Sequence, residues 1–104
     1  MKRLKVRLTD DALNDIVEQA DWYEQQSGRT LARRWENAVT RAIFGVLKNP
    51  HSGALCNFSV EGLTSVRRMP ISKFPKHLIF YRFEHQHILI LRVVHGARDL
   101  ESLL

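Results

Sequence analysis

Apolar residues alternate with basic ones at the start of the chain. In "RLKVRLT", Leu4, Val6 and Leu8 point one way and Arg3, Lys5 and Arg7 the other. This period of two predicts a strand with one face on a core. The period then changes. Thr9, Asp10 and Asp11 offer an N-cap and negative charge in a first helical turn. Leu13, Ile16, Val17, Ala20 and Tyr23 follow at helical spacing, and Gly28 in "QQSGRT" stops the helix. A second stripe runs through Leu31, Trp35, Ala38, Val39, Ala42, Ile43, Val46 and Leu47. Lys48 suits the last turn, Asn49 a left-handed cap, and Pro50 forbids continuation. So short a link predicts an antiparallel helical hairpin.

"PHSGALCNFSVEG" reads as loop. "TSVRRM" reads as a short basic strand, and "KHLIFYRF" and "HILILRVVH" as long strands joined through "EHQ". Both long strands are apolar on both faces. Leu78 and Phe80 oppose Ile79, Tyr81 and Phe83; Ile88, Ile90 and Val94 oppose Leu89, Leu91 and Val93. Such runs belong to strands covered on both sides. The hairpin can cover one side, so a partner segment is expected on the other. The order β-α-α-β-β-β predicts one α+β domain over residues 1–104. Its helical hairpin packs on a mainly antiparallel four-stranded sheet.

At 104 residues the chain has room for one core. Its net charge is +5 and its pI about 9.9, which points to nucleic acid or an acidic protein as partner. The lone Cys56 permits no intrachain disulfide and reads as a small apolar filler in a reducing, cytoplasmic setting. No run is long enough to span a bilayer, and no signal peptide precedes the first strand.

Candidate chemistry is basic. Arg67 and Arg68 leave opposite faces of a strand. Lys73, Lys76 and His77 follow, and Arg82, Arg92 and Arg98 lie along the last two strands. Such a set holds phosphate or carboxylate, or else forms a solvated rim. His85 and His87 form an H-x-H without a third ligand nearby, so no metal and no cofactor is expected. Asp10, Asp11, Asp15 and Glu18 read as charges near a helix N-terminus. Trp22, Tyr23 and Trp35 read as a core stripe or as anchors for a docked helix. In "RVVHGARDL", Gly96 could turn the backbone and swing Arg98 across the sheet end, while His95 could act as a general base.

Four stretches, "LTDDALNDIVEQADWYEQQSG", "LKNPHSG", "VRRMPISKFPKHLIFYRF" and "ILRVVHGARDLESLL", together resemble the ParE/RelE superfamily of toxins from bacterial toxin–antitoxin modules. The "NP" stop, the "IFYRF" strand and the "VVHGARD" ending look like the ParE, plasmid-stabilisation branch. The resemblance implies a toxin that inhibits DNA gyrase and is neutralised by a ParD-like antitoxin wrapped over the hairpin and sheet. It implies antitoxin contacts at Trp22, Tyr23, Trp35, Ile79 and Tyr81, and target contacts at Arg98, His95, Arg67 and Arg68. A hetero-oligomer with the antitoxin follows, and the free toxin could pair as a homodimer. The sister RelE branch cleaves mRNA on the ribosome. Its catalytic set would fall on His77, His95, Arg98 and Arg67, with Tyr81 as a further candidate. The tail "LESLL" lacks that branch's tyrosine, and His77 stands where it has an arginine. A degenerate toxin that only binds its antitoxin is the third reading.

Overall fold

A computed structural model describes residues 4–58, 63 and 65–96. In chain order it contains β1 (Lys5–Leu8), α1 (Asp10–Ser27), α2 (Arg29–Lys48), β2 (Ala54–Leu55), β3 (Arg67–Ile71), β4 (Phe74–Glu84) and β5 (His87–His95). The sheet order is β1-β5-β4-β3-β2. β1 runs parallel to β5 and the other pairs are antiparallel. The fold is thus α+β with a helical hairpin on a mainly antiparallel sheet, as the pattern implies. The sheet has five strands rather than four. The extra strand, β2, is two residues long, too short to carry a hydropathy period, and lies in the stretch read as loop.

Thr9 joins the first strand to the helices. Its hydroxyl accepts the Ala12 amide at 3.0 Å, capping α1, and donates to the Leu91 carbonyl at 2.8 Å. Leu91 needs that partner because β5 slips there. Phe80 pairs with Arg92 but Tyr81 pairs with Ile90, so Leu91 is left over as a bulge. One extra residue reverses the alternation. Ile88, Ile90 and Val93 therefore face the helices, whereas Leu91 and Val94 face away. The simple alternation assigned Val93 and Val94 to the opposite faces.

The main core lies between hairpin and sheet. Ala12, Trp35, Val39, Val46, Ile71, Ile79, Tyr81, Ile88 and Ile90 are buried there. Each fully buried large aliphatic side chain contributes about 1.5–3 kcal/mol. The Trp35 indole N–H donates to the Ile16 carbonyl at 3.0 Å, which ties the two helices together. Leu13 and Val17 do not join this core; they are 48% and 56% exposed on α1. Asn49 ends α2 at φ −145° rather than in a left-handed cap.

The far face of the sheet is covered by the chain itself. Cys56 and Val66 pack on Phe80 and Val94, with Phe58, Leu63, Leu78 and Leu91 around them. The doubly apolar strands therefore call for no partner over Phe80, which is fully buried beside Cys56 and Val66. Cys56 behaves as the filler its surroundings suggest. Burial pushes its thiol pKa up, and Arg68 partly opposes this.

The β4–β5 hairpin turns through two residues, His85 and Gln86, at φ 50° and 65°. Left-handed backbone at two successive positions marks a type I′ turn, where asparagine and glycine are favoured. Neither is present. Gln86→Gly is expected to stabilise the protein by about 1 kcal/mol, raising the melting temperature by roughly 4–8 °C. An unchanged or lower melting temperature would count against that strain. His87 Nδ1 lies 2.9 Å from the His85 carbonyl, so this ring serves the turn.

Candidate functional site

A cleft of about 850 Å³ opens where β4 begins and β5 ends, beneath α1. Glu18, Gln19, Trp22 and Tyr23 come from the helix, and Phe74, Lys76, His77 and His95 from the strands. His77 and His95 are register partners across β4 and β5, with ring centroids 5.5 Å apart. The Gly96 amide donates to the Lys76 carbonyl at 2.7 Å and holds the end of β5 against β4. Gly96 is not in the left-handed region, since Gly28 is the positive-φ glycine among the described residues. A Cβ on Gly96 would sit 3.0 Å from the Leu78 side chain, so it is close packing that favours glycine there.

His77 is buried against aromatic rings. Its centroid lies 4.8 Å from Trp35 and 6.4 Å from Tyr23. Burial pushes its pKa below the usual histidine value, and the neighbouring His95 adds to this. The inner imidazole is therefore neutral at neutral pH, while His95 is exposed. Tyr23 titrates above its usual value because it is buried, with a Gln19 hydrogen bond opposing. The unfolded chain protonates His77 more readily than the folded one does. Stability is thus full above the unfolded pKa of about 6.5 and falls as the pH drops through it. His77→Phe is expected to lose less thermal stability than the wild type between about pH 7.5 and pH 5.5. Equal losses would show that other groups carry the acid sensitivity.

Asp15 forms the rim towards the sheet centre. Arg92 donates to it from Nε at 2.7 Å and Nη2 at 2.8 Å, and the Val93 amide donates at 3.0 Å. The Arg92 pKa is raised, first by that hydrogen bond. This carboxylate is no helix-terminal charge; it fastens α1 to β5 beside the bulge. A lone arginine in an apolar strand was the signal that a buried acid would be needed elsewhere.

The sequence candidates do not form one constellation. Arg67 and Arg68 lie at the other end of the sheet. Arg67 pairs with Tyr81, four residues along β4 from His77 and so about 13 Å away. Its Nη1 donates to the His51 carbonyl at 3.1 Å and the Gly53 carbonyl at 2.8 Å. Arg68 is exposed on the opposite face. The Tyr81 hydroxyl donates to the Pro50 carbonyl at 2.8 Å and accepts the Gly53 amide at 2.9 Å. Trp35, Ile79 and Tyr81 are fully buried, so they shape the core and offer no surface to an antitoxin. Trp22, 53% exposed, and the half-buried Tyr23 remain available at the cleft. Arg98 lies outside the described residues.

A second groove, of about 680 Å³, runs between α2 and β3. Leu31, Ala38, Ala42, Met69 and Phe74 line it, and Arg34, Arg41 and Lys73 stand around it. Nothing in the sequence distinguishes Arg34 or Arg41 from other surface arginines; their place on the α2 flank that turns towards β3 is what marks them. Among the described residues no group of three or more His, Cys, Asp or Glu side chains could hold a metal ion. No helix of the described residues is long and apolar enough to cross a membrane.

Residues 6–100 match the family described as the ParE toxin of type II toxin–antitoxin systems, parDE. The fold is similar to a chain of the chromosomal ParDE system from P. aeruginosa, with TM-score 0.73 and 18% identity over 88% of this chain and 95% of that one. It is also similar to a chain of the RelBE2 toxin–antitoxin complex from Mycobacterium tuberculosis. There the TM-score is 0.60 and the identity 20%, over 90% of this chain and 99% of that one. No curated protein matches the chain.

Proposed function

This chain belongs to the ParE toxin family of type II toxin–antitoxin systems, and from that premise we propose that it inhibits DNA gyrase by binding rather than by catalysis, in the cytoplasm. The observation that carries the binding reading is how the candidate catalytic groups are used. The Tyr81 hydroxyl has both its donor and its acceptor engaged by the 50–53 loop, and Arg67 donates to two carbonyls of the same loop. RNA cleavage needs a base for the 2′-hydroxyl, cations on the phosphate and an acid for the leaving oxygen. His77 and His95 supply imidazoles, but Arg67 and Tyr81 are tied into the fold about 13 Å away along the strand. The exposed surface of the cleft, with Trp22, Lys76 and His95, suits contact with a large partner.

The antitoxin of this reading is an acidic, amphipathic ParD-like segment seated in the α2–β3 groove. Its apolar side chains would cover Ala38, Ala42 and Met69, and its carboxylates would meet Arg34, Arg41 and Lys73. Trp22 and Tyr23 lie at the cleft instead and fall to the target.

The test is supercoiling by purified gyrase with the purified protein added, scored also for cleaved DNA. Lost supercoiling with trapped, cleaved DNA is the expected result. Unaffected gyrase together with mRNA cleavage in a translation extract would overturn it in favour of the ribonuclease reading. A chain harmless to cells and inert in both assays would leave only antitoxin binding.

A further inference from the structure

The β4–β5 hairpin carries two pairs of imidazoles, one at each end. At the turn, the His87 ring is engaged with the His85 carbonyl. At the open end, His77 and His95 are distant in the chain but opposite each other in the sheet.

The kind of pairing matters. The Gly96 amide, one residue after His95, donates to the carbonyl of Lys76, one residue before His77. A bond between the flanking residues makes His77 and His95 a non-hydrogen-bonded pair. At such a pair the Cα atoms are about 4.5 Å apart, and the side chains leave one face closer together than at a hydrogen-bonded pair. Both rings line the same cleft, with centroids 5.5 Å apart.

That spacing fits one shared ion. A zinc–nitrogen bond of about 2.0–2.1 Å puts the ion about 3.2 Å from the centroid of a ligating imidazole. Two rings at that distance, with centroids 5.5 Å apart, subtend an angle of about 120° at the ion, close to tetrahedral. His77 is 9% exposed, and its ring is held between Trp35 and Tyr23. His95 is exposed at the strand end, where its ring can adjust to an ion that His77 presents. One ligand is thus pre-organised, and only the other is ordered on binding.

We infer that His77 and His95 form a binding site for a divalent transition-metal ion of the zinc and copper class. Imidazole nitrogen suits these ions, whereas magnesium and calcium take oxygen ligands. Among the described residues no third His, Cys, Asp or Glu completes the set. The protein therefore supplies two ligands, and the remaining positions are left to water or to a partner's side chain. Such an open site binds more weakly than a closed four-ligand zinc site. Glu18 lines the cleft from α1 and favours a cation there, while Lys76 opposes it. The site forms without gyrase or antitoxin, so the metal alone is the probe.

Calorimetric titration of the untagged full chain with Zn²⁺ at about pH 7.5, where imidazole ligands are deprotonated, tests this. One ion per chain is expected. His95→Ala and His77→Phe are each expected to weaken binding by about tenfold or more. The phenyl ring keeps the packing on Trp35 without a ligand nitrogen, and circular dichroism checks that both variants fold. His85→Asn removes one imidazole from the pair at the turn and should leave the affinity unchanged. Nitrogen-15 NMR of the wild-type imidazoles should show the His77 and His95 rings shifting together over the first equivalent of metal. No binding by the wild type overturns the inference. So does binding that survives His77→Phe, that is lost in His85→Asn, or that shifts His95 without His77.

Discussion

Asp15→Ala is expected to cost about 3–5 kcal/mol of folding stability, the range for removing one partner of a buried ion pair. The side chains of Asp15 and Arg92 are 10% and 15% exposed, so water screens the pair little. The carboxylate accepts three hydrogen bonds, two from the guanidinium and one from the Val93 amide. Without it, a cation and a backbone donor are left facing the alanine. Bringing the pair together need not itself add much, since desolvating both charges offsets their attraction. The cost comes from taking the carboxylate away from a guanidinium and an amide that stay in place. Asp15→Asn should be milder, because an amide oxygen still accepts one bond. Asp10→Ala, on the exposed first turn, should cost well under about 1 kcal/mol. Urea denaturation of the three variants checks the order. A loss below about 1 kcal/mol for Asp15→Ala would mean that the pair behaves as a surface contact.

The consequence reaches the site. Asp15 locks α1 to β5 just before His95, and α1 supplies Glu18, Trp22 and Tyr23 to the cleft. A protein that loses Asp15 loses the fixed distance between helix and strand as well as stability. Target binding should therefore fall in Asp15→Asn even at temperatures where that variant is folded.

What could be read from the sequence follows from how local each signal is. The helical hairpin was legible because its stripes are long, and Gly28 and Pro50 punctuate them. β5 was legible residue for residue, since "HILILRVVH" is bounded by a turn and a glycine. Its facing was not, because the bulge at Leu91 leaves no trace in hydropathy; Leu91, Val93 and Val94 are all apolar. Leu13 and Val17 fit the α1 stripe by period, yet they sit towards its edge, and only the position of α2 decides whether they are covered. The candidate cations failed as a set for a related reason. Arg67, Arg92 and Arg98 look alike in sequence, but the roles of Arg67 and Arg92 depend on partners at His51, Gly53 and Asp15. His77 and His95 came together as anticipated only in part: register places them side by side, and burial makes one of them an interior ring.

The 50–53 loop depends on distant partners in the same way. Gly53 sits so close to Tyr81 that a Cβ would lie 2.5 Å from the hydroxyl, 2.8 Å from the ring and 2.9 Å from the Arg68 carbonyl. One of these neighbours is backbone and another a ring packed in the core, so neither can swing aside. Gly53→Ala is expected to cost about 3 kcal/mol, by displacing Tyr81 or the loop and breaking the hydrogen bonds between them. Tyr81→Phe keeps the ring and removes the hydroxyl, which strands the Gly53 amide and the Pro50 carbonyl. Its cost should be about 2 kcal/mol, one buried unsatisfied group or slightly more. The two changes share a partner and so should not add. With the hydroxyl gone, the closest contact of the new Cβ disappears, and the double variant should be more stable than the sum of the single losses implies. Full additivity in urea denaturation would show that the alanine acts through the Arg68 carbonyl instead. The gyrase assay then separates fold from function. If Tyr81→Phe is folded at the assay temperature and still arrests supercoiling, Tyr81 serves the loop; if it is folded and inert, the hydroxyl has a role that its two backbone partners do not account for.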